Sequence, residues 1–272
     1  MIKKLFPKGK AKAFNISYDD GVLQDVRFVE LLNKYGLKGT FNLNAGLMKE
    51  RFTWYQENGT PVTRLSESEA VRLYDGHEVA SHTWSHPYLD SMARTEVLRE
   101  LYADKCALEQ LFDREVTGFA VPFLFYSDEI AACVRQAGFA YARISEESGN
   151  YAIPEDLYFW RGSIFHWSED LESFVHGFLQ TDQELAFCQI VGHSYDLDAG
   201  NMWQRMELIF RQVAQDPDVL AVTNGEIAEY IRAMRCAHIS DNRIENHTDF
   251  DLWFNINGQV TMVPAGGVLN IQ

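Results

Sequence analysis

At 272 residues the chain can bury one large α/β core or two modest ones, and 46% hydrophobic against 23% charged residues excludes a disordered polymer. Its formal charge of −15 repels phosphate, which argues against nucleic-acid and anionic-membrane partners and leaves neutral molecules such as sugars open.

The basic start MIKKLFPKGKAKAF is interrupted at Pro7 and Lys8 before a signal peptide's apolar region could form. A short strand is expected at Ala11–Ser17, with Ser17–Gly21 (SYDDG) as its exit. Asp25–Tyr35 carries Val26, Val29 and Leu32 at helical spacing and is closed by Gly36. Thr40–Asn44 returns as a strand, a β-α-β opening that favours a parallel sheet. Residues 45–66 are polar, aromatic and irregular, the texture of a functional rim. Ser66–Glu69 fits a capping box for a helix through Tyr74, and a brief strand at Glu78–Ala80 leads into GHEVASHTWSHP.

The longest helical pattern is Ser91–Asp113, followed by a strand at Gly118–Val121, a helix at Ser127–Ala137 with Ser127 as N-cap, and a strand at Tyr141–Ile144. A second irregular aromatic stretch fills 145–167. The alternation then resumes: helix Asp170–Leu179, strand Leu185–Gly192 with His193 at its end, helix Met202–Ala214, strand Val219–Thr223 and helix Gly225–Arg235. Cys106, Cys133, Cys188 and Cys236 form no C-x-x-C pair, the usage of free thiols in a reducing cytoplasm, and no segment has the apolar length of a membrane span. Beyond Cys236, period-two runs at Leu252–Ile256, Gln259–Val263 and Val268–Ile271 are broken by Asn257-Gly258, a hairpin signal, and by Gly266-Gly267. The alternation predicts an α/β fold, a barrel or near-barrel of about seven parallel strands over residues 1–236, with a small antiparallel β extension over 237–272 packed on it.

Residues able to do chemistry gather where strands end: Asp19 and Asp20, His82, Pro122, Arg143 and His193. In parallel α/β folds those ends share one face, where active sites lie. His82 and His86 stand four apart and suit a first-row metal, and a carboxylate from SYDDG would complete an open, catalytic set. Asp20 would take the metal, while Asp19 stays near enough to accept a proton from water. The plain alternatives are a turn shaped by two adjacent carboxylates, and a strand-end His193 that is only a hydrogen-bonded rim residue. Trp84, Phe123, Phe125, Trp160 and Trp167 divide between core and groove, and His166 is the least inert of the remaining histidines.

In this order the pieces resemble the polysaccharide deacetylase family (carbohydrate esterase family 4). The family's T-F-D-D-G is similar to Ser17-Tyr18-Asp19-Asp20-Gly21, and its H-[ST]-x-x-H matches His82-Thr83-Trp84-Ser85-His86 in full. Its R-x-P-Y survives in part as Ala120-Val121-Pro122-Phe123, and its L-x-H as Val191-Gly192-His193. The resemblance spans about residues 11–235 and implies a distorted (β/α) barrel and a divalent metal on Asp20, His82 and His86, zinc first, with cobalt, nickel, iron or manganese as alternatives. It also implies Asp19 as general base, His193 as general acid and the Phe123 N–H as an oxyanion donor. Ala120 stands where the family's aspartate-positioning arginine would be, and Arg143 or, more weakly, Arg161 could supply that guanidinium from elsewhere. Phe165-His166-Trp167 lies in the region of the family's acidic, tryptophan-ending motif, which makes Trp167 a substrate-contact candidate.

The expected activity is hydrolysis of N-acetyl or O-acetyl groups on a sugar. The alternatives are a metal-dependent hydrolase of a small cyclic imide or ureide, and a carbohydrate-binding protein whose catalysis has lapsed. The expected partner is a carbohydrate or small amide substrate, with no nucleic acid and no membrane, and with homo-oligomerisation open.

Overall fold

Among the described residues nine strands, all parallel, form the main sheet. In hydrogen-bonded order eight of them run Ile164–Phe165, Ala186–Gly192, Lys12–Asp19, Gly39–Leu43, Glu78–Ser81, Gly118–Ala120, Tyr141–Glu147 and Trp160–Gly162. The ninth, Val219–Ala221, pairs with the first half of Lys12–Asp19. This computed structural model describes residues 2–49 and 51–271, so Met1, Glu50 and Gln272, the two outer ends of the expected barrel and extension among them, lie outside the described residues.

The sheet curls into a nearly closed barrel because its two end strands are consecutive in the chain. Trp160–Gly162 pairs with Tyr141–Glu147, and after Ser163 the chain pairs Ile164–Phe165 with Ile190 and Val191. Ser163 bridges the seam, its N–H donating to the Gln189 carbonyl at 3.0 Å. These two strands lie inside the stretch expected to be irregular. Three and two residues long, they show no alternation to read, and their ladder exists only because the barrel closes there.

Strand Lys12–Asp19 shows how the interior is divided. Phe14, Ile16 and Tyr18 face the surrounding helices, where Tyr18 stacks on Phe28 at 4.2 Å and Phe14 meets Phe210 edge-on. Ala13, Asn15, Ser17 and Asp19 fall on the inner face. There Gln189 joins Asn15 at 2.9 Å and also Asn224, a polar layer whose buried amides hydrogen-bond one another. Below it Tyr141, Trp160 and Phe187 close the barrel floor with edge contacts of 5.4 and 5.7 Å. The strand C-terminal ends therefore open at the other face.

Helix starts follow their caps. Ser66 and Glu69 complete the expected capping box, and Ser127 accepts from Ile130 N–H. The long helix begins at Arg94 rather than Ser91, since Glu96 reaches back to the Ala93 N–H while Ser91 turns to the Tyr88 carbonyl. Residues 45–66 hold a short helix, Ala45–Met48, and a hairpin of Thr53–Tyr55 with Pro61–Thr63. A six-residue helix, Ser194–Ala199, follows the His193 strand and was not foreseen.

The C-terminal hairpin forms as expected, with Asn257 and Gly258 both at positive φ (53° and 93°) as a primed turn demands. Ile2–Leu5 joins it as a third strand beside Leu252–Ile256, and His238–Ser240, Arg243–Glu245 and Val268–Asn270 make a second three-stranded sheet. Leu252, Phe254 and Val263 pack with Phe6 and the Asn224–Cys236 helix against the barrel floor, far from the open end. Among the described residues no helix is long and apolar enough to cross a membrane, and the four cysteines are free thiols.

Candidate active site

Asp19 closes its strand, and Asp20 follows at φ 86°, a turn completed by Gly21 at φ 63°. A side chain at Gly21 would be strained at that φ and would press on Leu43, 2.8 Å from the added carbon. The turn presents the two carboxylates differently. Asp19 Oδ1 accepts from Arg143 and from Asn42 at 2.7 Å, which leaves Oδ2 free, 4.0 Å from His82 Nε2. Asp20 Oδ1 pairs with Arg64 at 2.9 Å, and Oδ2 accepts from Tyr195 at 3.0 Å. Burial alone would raise both carboxyls, but the guanidinium beside each, with help from the histidines, holds them below the usual carboxylate range.

The histidine turn is held from behind. His82 follows strand Glu78–Ser81, and its Nδ1 donates to the Ala120 carbonyl at 2.8 Å, so Nε2 keeps its lone pair toward the cavity. Asn44 binds the carbonyls of His82 and Thr83, and the Thr83 hydroxyl accepts from the His86 N–H at 3.1 Å. The buried Asp104 accepts from Ser81 Oγ (2.6 Å), Ala45 N–H (2.6 Å) and His82 N–H (3.2 Å), and burial raises its carboxyl to about 8. His82 is lowered to about 4 and His86 is also lowered, burial being the main cause, so both imidazoles are neutral at pH 7. One ligating atom each from Asp20, His82 and His86 lies within 4.8 Å of the others.

His193 enters from the opposite side. Its Nδ1 meets Asp196 at 2.9 Å, and the same carboxylate oxygen lies 3.5 Å from His166 Nε2, whose Nδ1 contacts the Tyr18 hydroxyl at 2.6 Å. Burial pushes His193 down, but the Asp196 hydrogen bond and the charges of Asp20 and Asp19 outweigh it and leave the ring at about 8. Gly192 is required here, because a side chain would run into the His166 ring. Asp25 ties the two sides together: buried, and raised to about 6 by that burial, it accepts from the Val22 N–H, the Tyr74 hydroxyl and Ser194.

Eight of the residues singled out in the sequence (Asp19, Asp20, His82, His86, Phe123, Arg143, Trp167 and His193) line one cavity of about 340 Å³, while Pro122 and His166 do not. Phe123 sits at φ 58°, its ring stacked on Tyr88 at 3.8 Å and edge-on to His86 at 4.6 Å. Trp167 is half-exposed at the rim, stacked on Phe165 and parallel to His193 at 6.2 Å. Arg161 instead pairs with Glu146 at the surface. Sequence reasoning missed Asn42, Arg64, Asp104, Tyr195 and Asp196. The clearest available signal was Asp196, three residues after His193 in HSYD, a spacing that brings the two side chains together at a helix start.

The family model described as polysaccharide deacetylase matches residues 7–142, half of the chain. Among solved structures, a Mycobacterium smegmatis protein provisionally described as a polysaccharide deacetylase aligns with TM-score 0.60 at 16% identity, over 86% of this chain and 94% of that one. The Xyl-CE4 domain of a multidomain xylanase from the hindgut metagenome of Trinervitermes trinervoides gives 0.53 at 18% identity, covering 82% and 92%. A family 4 acetyl xylan esterase from Clostridium thermocellum, in complex with a cobalt ion, gives 0.53 at 15%, covering 79% and 89%. At these identities the likeness is one of fold. No curated protein matches the chain.

Proposed function

The chain belongs to the polysaccharide deacetylase family, and from that premise we propose that it is a metal-dependent hydrolase removing acetyl groups from N-acetylated or O-acetylated sugars. The observation that carries this reading is the convergence of Asp20, His82 and His86 beside a second carboxylate, Asp19, that a buried arginine holds in place. The donor set fits a first-row divalent ion: two neutral imidazoles and a carboxylate, with His82 Nδ1 already committed to a backbone carbonyl. Zinc is the first expectation. When bound, the ion would supply a Lewis acid that polarises the acyl oxygen and acidifies the attacking water.

The remaining work falls to the chain's own groups. Asp19, ionised and pinned through Oδ1, offers Oδ2 to take the proton of the attacking water. The Phe123 N–H is assigned to the developing oxyanion. His193, its Nδ1 engaged by Asp196, delivers a proton from Nε2 to the departing nitrogen or oxygen. Trp167 at the rim offers a ring face to the sugar. Arg143 on Asp19 removes the ground for a lapsed site, which rested on Ala120, and no observation favours a cyclic imide or ureide over an acetylated sugar.

Acetate release from acetylated chito-oligomers and acetylated xylo-oligomers, by protein stripped with a chelator and then given Zn²⁺ or Co²⁺, tests this. Metal-dependent acetate release is expected. Acetate from neither substrate with any added ion would overturn the reading.

A further inference from the structure

The second guanidinium of the site, that of Arg64, has no part in the reaction just described. It follows strand Pro61–Thr63, and its side chain is 7% exposed. Its Nη2 lies 2.9 Å from Asp20 Oδ1, and Nη1 meets the Asp20 carbonyl and, at 2.7 Å, Asn44 Oδ1. The Trp54 ring lies over it at 5.4 Å. His86 Nε2 approaches the same Asp20 oxygen to 3.9 Å, so Arg64 and the proposed ion would share one carboxylate.

Asp19 is matched by Arg143 and Asp20 by Arg64, so each carboxylate of this corner already has a fixed guanidinium partner before an ion arrives. Carboxylate charge left uncompensated attracts a divalent cation. Here a fixed positive group, poorly screened because it is buried, opposes entry. The same contact keeps Asp20 oriented for ligation when no ion is bound.

We infer that Arg64 is a countercharge that lowers the site's affinity for its metal, so that the ion exchanges with the surrounding pool rather than staying resident. This rests on the metal-dependent reading above. The effect would be a property of binding and is measured without turnover.

The test compares wild type with Arg64→Gln, which keeps a donor for Asp20 but loses the charge, and Arg64→Lys, which keeps the charge. Dissociation constants for Zn²⁺ and Co²⁺ come from competition with a chromophoric chelator, with melting curves as the folding control. Arg64→Gln should bind about tenfold tighter or more, and Arg64→Lys should stay near wild type. Equal or weaker binding by a folded Arg64→Gln would overturn the inference and leave Arg64 a mere prop for Asp20. A second measurement needs no variant: Co²⁺ added to zinc-loaded wild type should replace the zinc within minutes, and zinc retained for hours would also overturn it. Wild type that takes up no divalent ion at all would instead defeat the metal-dependent reading, a result distinct from either.

Discussion

Ala120 and Arg143 are register partners on adjacent parallel strands, and the Arg143 side chain runs from that level into the barrel to grip Asp19. In the linear motif the alanine reads as a lost cation. In the fold, the cation has come from one strand over at the same height. Asp19 therefore keeps a buried ionic partner although the motif position is empty.

Arg143→Ala should lower turnover on acetylated sugars by about a hundredfold, because Asp19, the proposed base, loses both its orientation and the charge that keeps it ionised. Leaving Asp19 buried and unpaired should also cost about 3 kcal/mol of stability. Combining Ala120→Arg with Arg143→Ala should recover part of the turnover. Rates and urea unfolding curves for the three proteins check this, and a double variant no better than the single one would show that position 120 cannot reach Asp19.

Asp19 and Asp20 are adjacent, but only Asp20 lies in the trio with His82 and His86 that could hold a metal ion. Asp19→Asn should lose about a thousandfold in turnover and keep its metal, while His82→Ala should lose the metal as well. Metal content by elemental analysis beside the rates decides the matter. Equal metal loss in both variants would contradict the division of roles.

Much of this was legible before any coordinates, for identifiable reasons. Long periodic elements such as Asp128–Gln136 announce themselves through a cap and an apolar stripe, and strand-end residues such as Asp19 and His193 follow from parallel topology. Trp160–Gly162 and Ile164–Phe165 could not be read, since closure of the barrel, not local preference, makes them strands. Arg64 and Tyr195 were hidden for a related reason: each reaches Asp20 from an irregular stretch or a short helix, and no sequence period encodes such a contact. Asn42 lay inside a predicted strand, where one polar residue gives no hint that its register partner is Asp19.

Asp104 holds the His82 turn with three accepted hydrogen bonds in a buried setting. Its folded carboxyl, at about 8, lies above the unfolded value of 3.8, so the folded protein retains a proton that the unfolded chain releases. The stability this contributes is complete below about pH 4 and is lost as pH rises through about 8. Asp104→Ala should cost about 2–4 kcal/mol and weaken metal binding, while Asp104→Asn should flatten the decline in stability between pH 5 and 8. Urea unfolding at both pH values reads this. An Asn variant with the wild-type slope would remove Asp104 as the source.

His193 is the group whose protonation should set the alkaline side of the reaction. Its folded value of about 8 exceeds the ordinary 6.5, because the Asp196 hydrogen bond and the Asp20 and Asp19 charges overcome burial. Any stability from that rise is present below about pH 6.5 and disappears as pH passes 8. Asp196→Asn removes the strongest of these supports, so burial should then prevail and the ring should titrate below wild type. An NMR titration of the imidazole in metal-free protein measures this directly. A divalent ion beside Asp20 opposes the same carboxylate field, so adding Zn²⁺ should lower the His193 titration in both proteins, and the alkaline limb of kcat/KM should fall in that order: wild type highest, Asp196→Asn lower. If Asp196→Asn titrated at or above wild type, the carboxylate would not be what holds the proton on His193, and the acid would have to be assigned elsewhere in the cavity.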